Sequence, residues 1–377
     1  MAFNFSFLFI DIIENVINRN QIAKNKTNKC NYSISDQFVQ GFTDSKTLFG
    51  QKLYVYSTPG IIIFSIITNS ISVYIFHKMS RQRFNRQGST CFCCLKSLCL
   101  IDNVVIIFHV FFEWEQKGLS KLVISKRFNS ILETKGICYI YLIMSYTSRL
   151  AAVWMLVLFN IERYIGICMP LQKQKFCTKK KITKWILIVI FASVFVSLYK
   201  PFLHFMDPIT CLSTGSRASH RTVSFVLDSM YAVCTTFIPC LIVLLLNILI
   251  GKALILRSVT FAKFRITMTQ QTSFNHQYGA FLITISICYI ILNLPYAINW
   301  VLLASSDECS KNLHFLREML YVTKTIFYLN YCANFFLYNL TLASFRRNFL
   351  ICVFRCKREC PNSNLTLTQI QQYNISC

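Results

Sequence analysis

Seven stretches of this chain are each long and apolar enough to cross a bilayer as a helix, a task that takes about 20 residues. They fall at 53–77, 91–112, 136–165, 185–203, 225–250, 278–302 and 316–340, and an amphipathic stretch follows at 341–354. A chain of 377 residues built this way is too apolar for an ordinary soluble enzyme and too long for one compact core. In hydrocarbon a helix satisfies its own backbone, which is why such segments span as helices. The expected fold is an all-α membrane protein: a seven-transmembrane helix bundle with a short amphipathic eighth helix. The expected division is an amino-terminal segment (1–51), a bundle (52–340) and an amphipathic helix with tail (341–377). The first residues are apolar, but Asp11 and Glu14 interrupt them and no basic residue precedes them, which makes a poor signal peptide.

Charge orients the bundle. Only 14% of residues are charged and the net charge is +24. A nucleic-acid binder would set such cations on an otherwise polar surface. With the amino terminus outside, the inner loops and tail hold 21 Lys and Arg against Glu162 and Glu359, or +19, and the outer side holds +5. Arg149 and Asp102 lie within the bundle and cancel. That asymmetry follows the positive-inside rule and places the chain as a multi-pass protein of the plasma membrane with its carboxyl terminus in the cytoplasm. The sequons at Asn4, Asn25 and Asn31 then lie outside as candidate glycosylation sites, although Asn339, Asn364 and Asn374 form similar sequons inside. Four outer cysteines (Cys30, Cys138, Cys211 and Cys309) form an even set in an oxidising compartment, which suggests two disulfides. Cys352, Cys356 and Cys360 stand among inner basic residues and fit palmitoylation. Cys138 precedes Arg163 by 25 residues. That is about 37 Å of helix, so the two lie on opposite membrane faces.

Polar residues inside hydrocarbon are costly and mark function by default. Asn69 lies in the first span, Asp102 in the second, and Asn334 and Tyr338 in the seventh. A buried network of amide, carboxylate and phenol would satisfy all four, and a Na⁺ could join the Asp102 carboxylate; no other cofactor is expected. The third span ends in Asn160-Ile-Glu162-Arg163-Tyr164 and runs on to Cys168-Met-Pro170-Leu171 and a lysine-rich loop.

From Asn69 to Phe349 the chain resembles the rhodopsin-like G-protein-coupled receptors. Asn69, Asp102, Arg163, Trp185, Pro239 and Pro295 match the most characteristic position of each of the first six helices. Asn334 and Tyr338 match the seventh-helix motif, with Phe335 in place of the usual Pro, and Phe345 matches the start of the eighth helix. The resemblance implies that Glu162, Arg163 and Tyr164 couple to a heterotrimeric G protein once the sixth helix swings outward. Asn275 on that helix offers Arg163 no carboxylate latch. It implies an activation network of Asn69, Asp102, Pro239, Asn293, Pro295, Asn334 and Tyr338, with Asn293 in the place of the usual toggle Trp. It also implies a Cys138–Cys211 disulfide, which leaves Cys30 and Cys309 to pair. Tyr328 stands where an opsin carries its retinal lysine, and Ser145 where an amine receptor carries its Asp. Segments around 148–154, 170–178, 292–295 and 334–338 resemble invertebrate neuropeptide receptors, especially FMRFamide-type ones.

Twelve of the fifteen acids lie on the outer side, with Glu113, Asp228 and Glu318 at helix mouths. A peptide ending in Arg-Phe-amide needs a carboxylate for its guanidinium and an aromatic slot for its ring. The expected ligand-binding residues are Glu113, Ser145, Tyr146, Arg149, Asp228, Tyr296 and Glu318, with Tyr231, Trp300 and Tyr321 widening the slot. Arg149 either takes a ligand anion or carbonyl, or pairs with Asp228 or Glu318. The rivals are a receptor for a lipid or chemosensory ligand, whose pocket needs no acidic rim, and a transporter, whose inverted repeats are missing here. No catalytic constellation sits at the midplane, so an enzyme is not expected.

Overall fold

The computed structural model describes residues 49–81, 89–119, 137–206, 213–216, 221–264, 270–305 and 313–355. Asn4, Asn25, Asn31, Cys30, Cys211, Cys309, Cys356 and Cys360 lie outside them, as does the side chain of Cys138.

Helix α1 (Phe49–Arg81) is followed by α2 (Ser89–Val105). The latter runs on through a π-helical stretch (Ile106–Phe111), an α turn (Phe112–Trp114) and a second π stretch (Glu115–Leu119). Helix α3 (Ile137–Cys168) leads through a short helix (Pro170–Phe176) to α4 (Lys179–Ser197), which Thr178 caps by accepting from the Lys181 N–H. Helix α5 comprises Arg221–Ala232, a π stretch (Val233–Phe237) and Ile238–Phe264. Then come α6 (Gln270–Ser305), α7 (Leu313–Thr341) and α8 (Ala343–Arg355). One feature departs from the all-α expectation. Between α4 and α5 an antiparallel hairpin pairs β1 (His204–Met206) with β2 (Ser213–Ser216). Strands of three and four residues are too short for a readable alternation.

Among the described residues, six helices are long and apolar enough to cross a membrane. The seventh, α7, has the length at 29 residues but carries Arg317, Glu318 and Lys324 in its first half. Helix α3 is the axis of the bundle, with 61% of its spanning window buried against 22% for α4 at the rim. It packs on α2, α4 and α5, while α7 packs on α1 and α6. Phe191, Phe195, Leu241 and Ile291 point outward and exposed. A continuous apolar exterior of this kind is stable against lipid rather than water. At the end of the bundle that carries Arg163, Tyr338 of α7 meets Phe76 of α1 at 4.9 Å and Phe345 of α8 at 5.4 Å, which docks α8 across the helix ends.

Pro59, Pro239 and Pro295 interrupt the helical ladders, and two tryptophans repair the first two breaks. Pro59 inside α1 has no N–H to give the Val55 carbonyl four residues back. The indole N–H of Trp114, at the far end of α2, donates to that carbonyl at 2.9 Å. In α5 the π register pairs the N–H of Ile238 with the Val233 carbonyl, five residues back. The next bond in that register would run from residue 239 to Cys234, and residue 239 is proline. The Trp154 indole of α3 donates to the Cys234 carbonyl at 3.2 Å. An unmet carbonyl in hydrocarbon costs a few kcal/mol, so each indole is a structural cross-link between helices. Trp114→Phe should therefore destabilise the protein by about 1–3 kcal/mol, and Pro59→Ala, which restores the N–H, should remove most of that loss. A double-mutant cycle on thermal unfolding in detergent checks this, and simple additivity of the two changes would refute it.

Candidate functional site

At the Arg163 end, α3 places Glu162 and Arg163 side by side, both 1% exposed. The guanidinium forks onto the carboxylate, with Nη2 2.6 Å from Oε1 and Nε on Oε2. Thr90, at the start of α2, donates to Oε1 at 2.7 Å. A pair this enclosed differs from a surface ion pair: removing either member leaves the other charge buried. Tyr164 is half-buried beside it. From the connecting helix, Lys173 lies along the bare backbone of Gly166, where a Cβ would stand 3.6 Å from its Nζ. Burial and the nearby Arg163 push that ammonium below its ordinary value. Of Asn275 only its place in α6 is described. A link not expected from the sequence ties three helices above this end. Asn247 of α5 donates to Ser286 of α6 at 2.7 Å and reaches the Asn160 Oδ1 of α3 at 3.4 Å.

The central polar residues do not form the single network expected. Asn334 donates to Asp102 at 2.9 Å. Asn69 instead donates to the backbone carbonyl of Tyr331 at 3.0 Å. The Tyr338 hydroxyl lies one turn beyond Asn334 and meets the Cys99 thiol at 3.6 Å among aromatic rings, out of the carboxylate's company. Asp102, Asn293 and Asn334 line a cavity of about 30 Å³. It has room for one water-sized guest, and a carboxylate among amide oxygens is a donor set that fits Na⁺. Asn293 donates to the Tyr289 carbonyl in its own helix at 2.7 Å. Pro239 is buried and Pro295 half-buried inside α6.

Toward the opposite end a second cavity, of about 150 Å³, opens between α3, the end of α4, α5 and α6. Tyr146, Tyr231, Tyr296 and Trp300 give it aromatic walls, and Arg149, Lys200 and Asp228 supply its charges. The Tyr231 hydroxyl donates to the Tyr146 carbonyl at 2.7 Å and the two rings stand 4.9 Å apart, which fixes that wall. Arg149 lies 5.6 Å above the Phe327 ring and makes no ion pair among the described residues. Neither acid offered to it by the sequence pairs with it among the described residues. Asp228 pairs with Lys200 at 2.5 Å and accepts from Tyr199 at 2.9 Å. Glu318 sits in the seam with α1, where a Cβ on Gly50 would stand 3.1 Å from its Oε2.

Three expected ligand residues are thus absent from this cavity's lining. Besides Glu318, these are Ser145, whose hydroxyl turns to His109 Nδ1 of α2 at 2.8 Å, and Glu113. Glu113 is the centre of an ion cluster that joins α2 to α7. Its Oε1 accepts from Lys117 at 2.7 Å and from Lys324, and its Oε2 accepts from Tyr328 at 2.6 Å. The negative carboxylate raises the Lys117 ammonium above its ordinary value. The acidic rim read from the sequence is therefore mostly neutralised by lysines of the same chain. Lys200 and Lys324 were missed, yet both are cations in or beside an apolar span and each has a carboxylate in reach, which is the signal that finds them.

Glu113→Gln leaves Lys324, only 7% exposed, with little compensation. A loss of about 3–5 kcal/mol is expected, with most of it recovered in Glu113→Gln/Lys324→Met, because breaking a buried pair costs more than replacing it. Thermal unfolding of the two variants, compared with the parent, decides the matter.

The family model described as 7 transmembrane receptor (rhodopsin family) matches residues 89–338. The match begins at the first residue of α2 and ends on Tyr338 of α7, about two thirds of the chain. No curated protein matches it.

Proposed function

The chain belongs to the rhodopsin family of seven-transmembrane receptors, and from that premise we propose that it is a receptor for an extracellular neuropeptide, amidated and basic, of the FMRFamide-like kind. As a member of that family it is a multi-pass membrane receptor that couples ligand binding to a G protein, and it is not an enzyme. The cavity of about 150 Å³ carries the peptide reading. Its four aromatic walls suit a terminal Phe ring. The Arg149 guanidinium supplies donors for the carbonyl of a terminal carboxamide, and Asp228 is the acid within reach of a ligand guanidinium. The orientation proposed is amino terminus outside, so residues 1–51 and the cavity face the ligand, and residues 341–377 face the G protein. Disulfides at Cys138–Cys211 and Cys30–Cys309, glycans on Asn4, Asn25 and Asn31, and palmitate on Cys352, Cys356 and Cys360 belong to the same proposal.

A ligand activates such a receptor only by binding the active state better than the resting one. The path runs from α5 and α6 at the cavity, through the Asn160–Asn247–Ser286 link, to Arg163. In the resting arrangement Glu162, itself anchored by the Thr90 hydroxyl, holds that guanidinium. Movement of α5 and α6 away from α3 would break the asparagine link and open a path for a G protein to Arg163.

A second reading has one observation in its favour: Arg149 pairs with no acid among the described residues, so a small anionic ligand could take the same cavity. A screen of amidated peptides and organic carboxylates on cells expressing the chain, read by calcium and cyclic AMP, separates the two. The amidated basic peptides should signal at submicromolar concentration, and Arg149→Met should weaken them at least tenfold. Exclusive response to carboxylates would sink the peptide reading. For coupling, Arg163→Ala should abolish second-messenger output while surface expression persists; normal output from that variant would refute the role given to Arg163.

A further inference from the structure

Lys200 stands where α4 gives way to the hairpin, and it is 3% exposed. Its ammonium lies 2.5 Å from the Asp228 carboxylate, 4.2 Å from the centre of the Tyr146 ring and 5.4 Å from that of Tyr199. The Tyr199 hydroxyl donates to the same Asp228 oxygen, at 2.9 Å, so the carboxylate is held from two sides. A carboxylate flanked by aromatic faces is the arrangement by which proteins recognise organic cations. Here the arrangement is complete and the cation inside it is the receptor's own. Asp228 is not sealed in, because its side chain keeps 26% of its exposure and borders the cavity of about 150 Å³. Lysine suits an exchangeable occupant: its ammonium is a compact point charge on a flexible four-carbon stem, without the rigid bidentate hold of arginine.

We propose that Asp228, Tyr146 and Tyr199 form a cation-binding box in which Lys200 holds the place of a ligand's guanidinium or ammonium group, so that a basic ligand binds by displacing it. The proposal rests on the reading of the ligand as basic, and it makes Lys200 a determinant of specificity. The apparent affinity for any cation falls by the fraction of receptors whose box is open. A weak cation fails to displace Lys200. A ligand that also occupies the aromatic walls and Arg149 gains enough elsewhere to do so. Displacement also detaches the end of α4 from α5, which couples occupancy of the box to the position of α5.

The test uses the full chain, purified in detergent, with phenethylguanidinium as probe and its effect on unfolding temperature as readout. Lys200→Met should bind the probe at least tenfold more tightly than the parent, and Lys200→Met/Asp228→Asn should lose that gain. Lys200→Gln, which keeps a hydrogen-bond donor for Asp228, serves as the second variant and should also bind more tightly. Equal affinity in the parent and in both Lys200 variants would overturn the box. In cells, an amidated Arg-Phe peptide and its citrulline counterpart separate the box from the peptide reading. Lys200→Met should raise the potency of the arginine peptide at least tenfold and leave the citrulline peptide unchanged. Silence of both peptides together with tighter probe binding removes the peptide reading and keeps the box. A parent that answers both peptides, with no gain for arginine in Lys200→Met, removes the box and keeps the reading.

Discussion

Hydrocarbon offers a backbone carbonyl no water, and the rest of this structure is arranged around that fact. Where the helical ladder is whole, nothing further is needed. Where Pro59 and Pro239 remove a donor, an indole from a neighbouring helix replaces it, and the replacement ties α2 to α1 and α3 to α5. The proline at a spanning position is thus not merely tolerated; it creates an acceptor that selects a partner. The small hydroxyls follow the same economy by donating to a carbonyl four residues back, as Ser57, Thr58, Ser72, Ser193 and Ser197 do. These hydroxyls are satisfied close to where they arise, which leaves them no part in carrying signals between helices.

That part falls to the charges and the asparagines. Each buried charge pair lies at one of two levels. Glu162 and Arg163 sit with Thr90 at one end. Glu113 with its lysines, and Asp228 with Lys200, sit toward the other. Between them lie amide links, two of them to neutral partners: Asn69 joins α1 to α7 and Asn247 joins α5 to α6 and α3, while Asn334 of α7 meets the Asp102 carboxylate of α2. A neutral hydrogen bond between helices is far cheaper to break than a buried ion pair. The middle of the bundle is therefore the level at which helices can shift, while both ends hold until a partner with charge of its own arrives.

Much of the fold was legible in the sequence because the bilayer imposes one length and one composition on every span. The seven helices and the eighth after Tyr338 follow from runs of residues along the chain. The amphipathic start of α7 fits worst, since Arg317, Glu318 and Lys324 dilute its apolarity. Pairings between distant spans were much less legible. Asn69 had several acceptors in reach, and only packing chose the Tyr331 carbonyl. Glu113, Asp228 and Glu318 read alike as acids at helix mouths, yet they end in an ion cluster, a cation box and a seam beside Gly50. Net charge along the chain counts cations and anions without saying which have already met. That is why a set of acids that reads as a rim along the chain folds around a cavity whose charged lining is Arg149, Lys200 and Asp228.

The π-helical stretch Ile106–Phe111 bears on how this receptor is compared with its relatives. A π turn accommodates one more residue than an α turn, so every side chain beyond it is rotated by about 100° from where an uninterrupted α-helix would aim it. Glu113 faces α7 on the far side of that shift. Against a relative whose second helix is α-helical throughout, a gapless alignment would slip by one position from the π stretch to the end of the helix. It would then equate a residue pointing into this bundle with one pointing into lipid. In this half of α2, equivalence belongs to the direction of the side chain and not to its ordinal place.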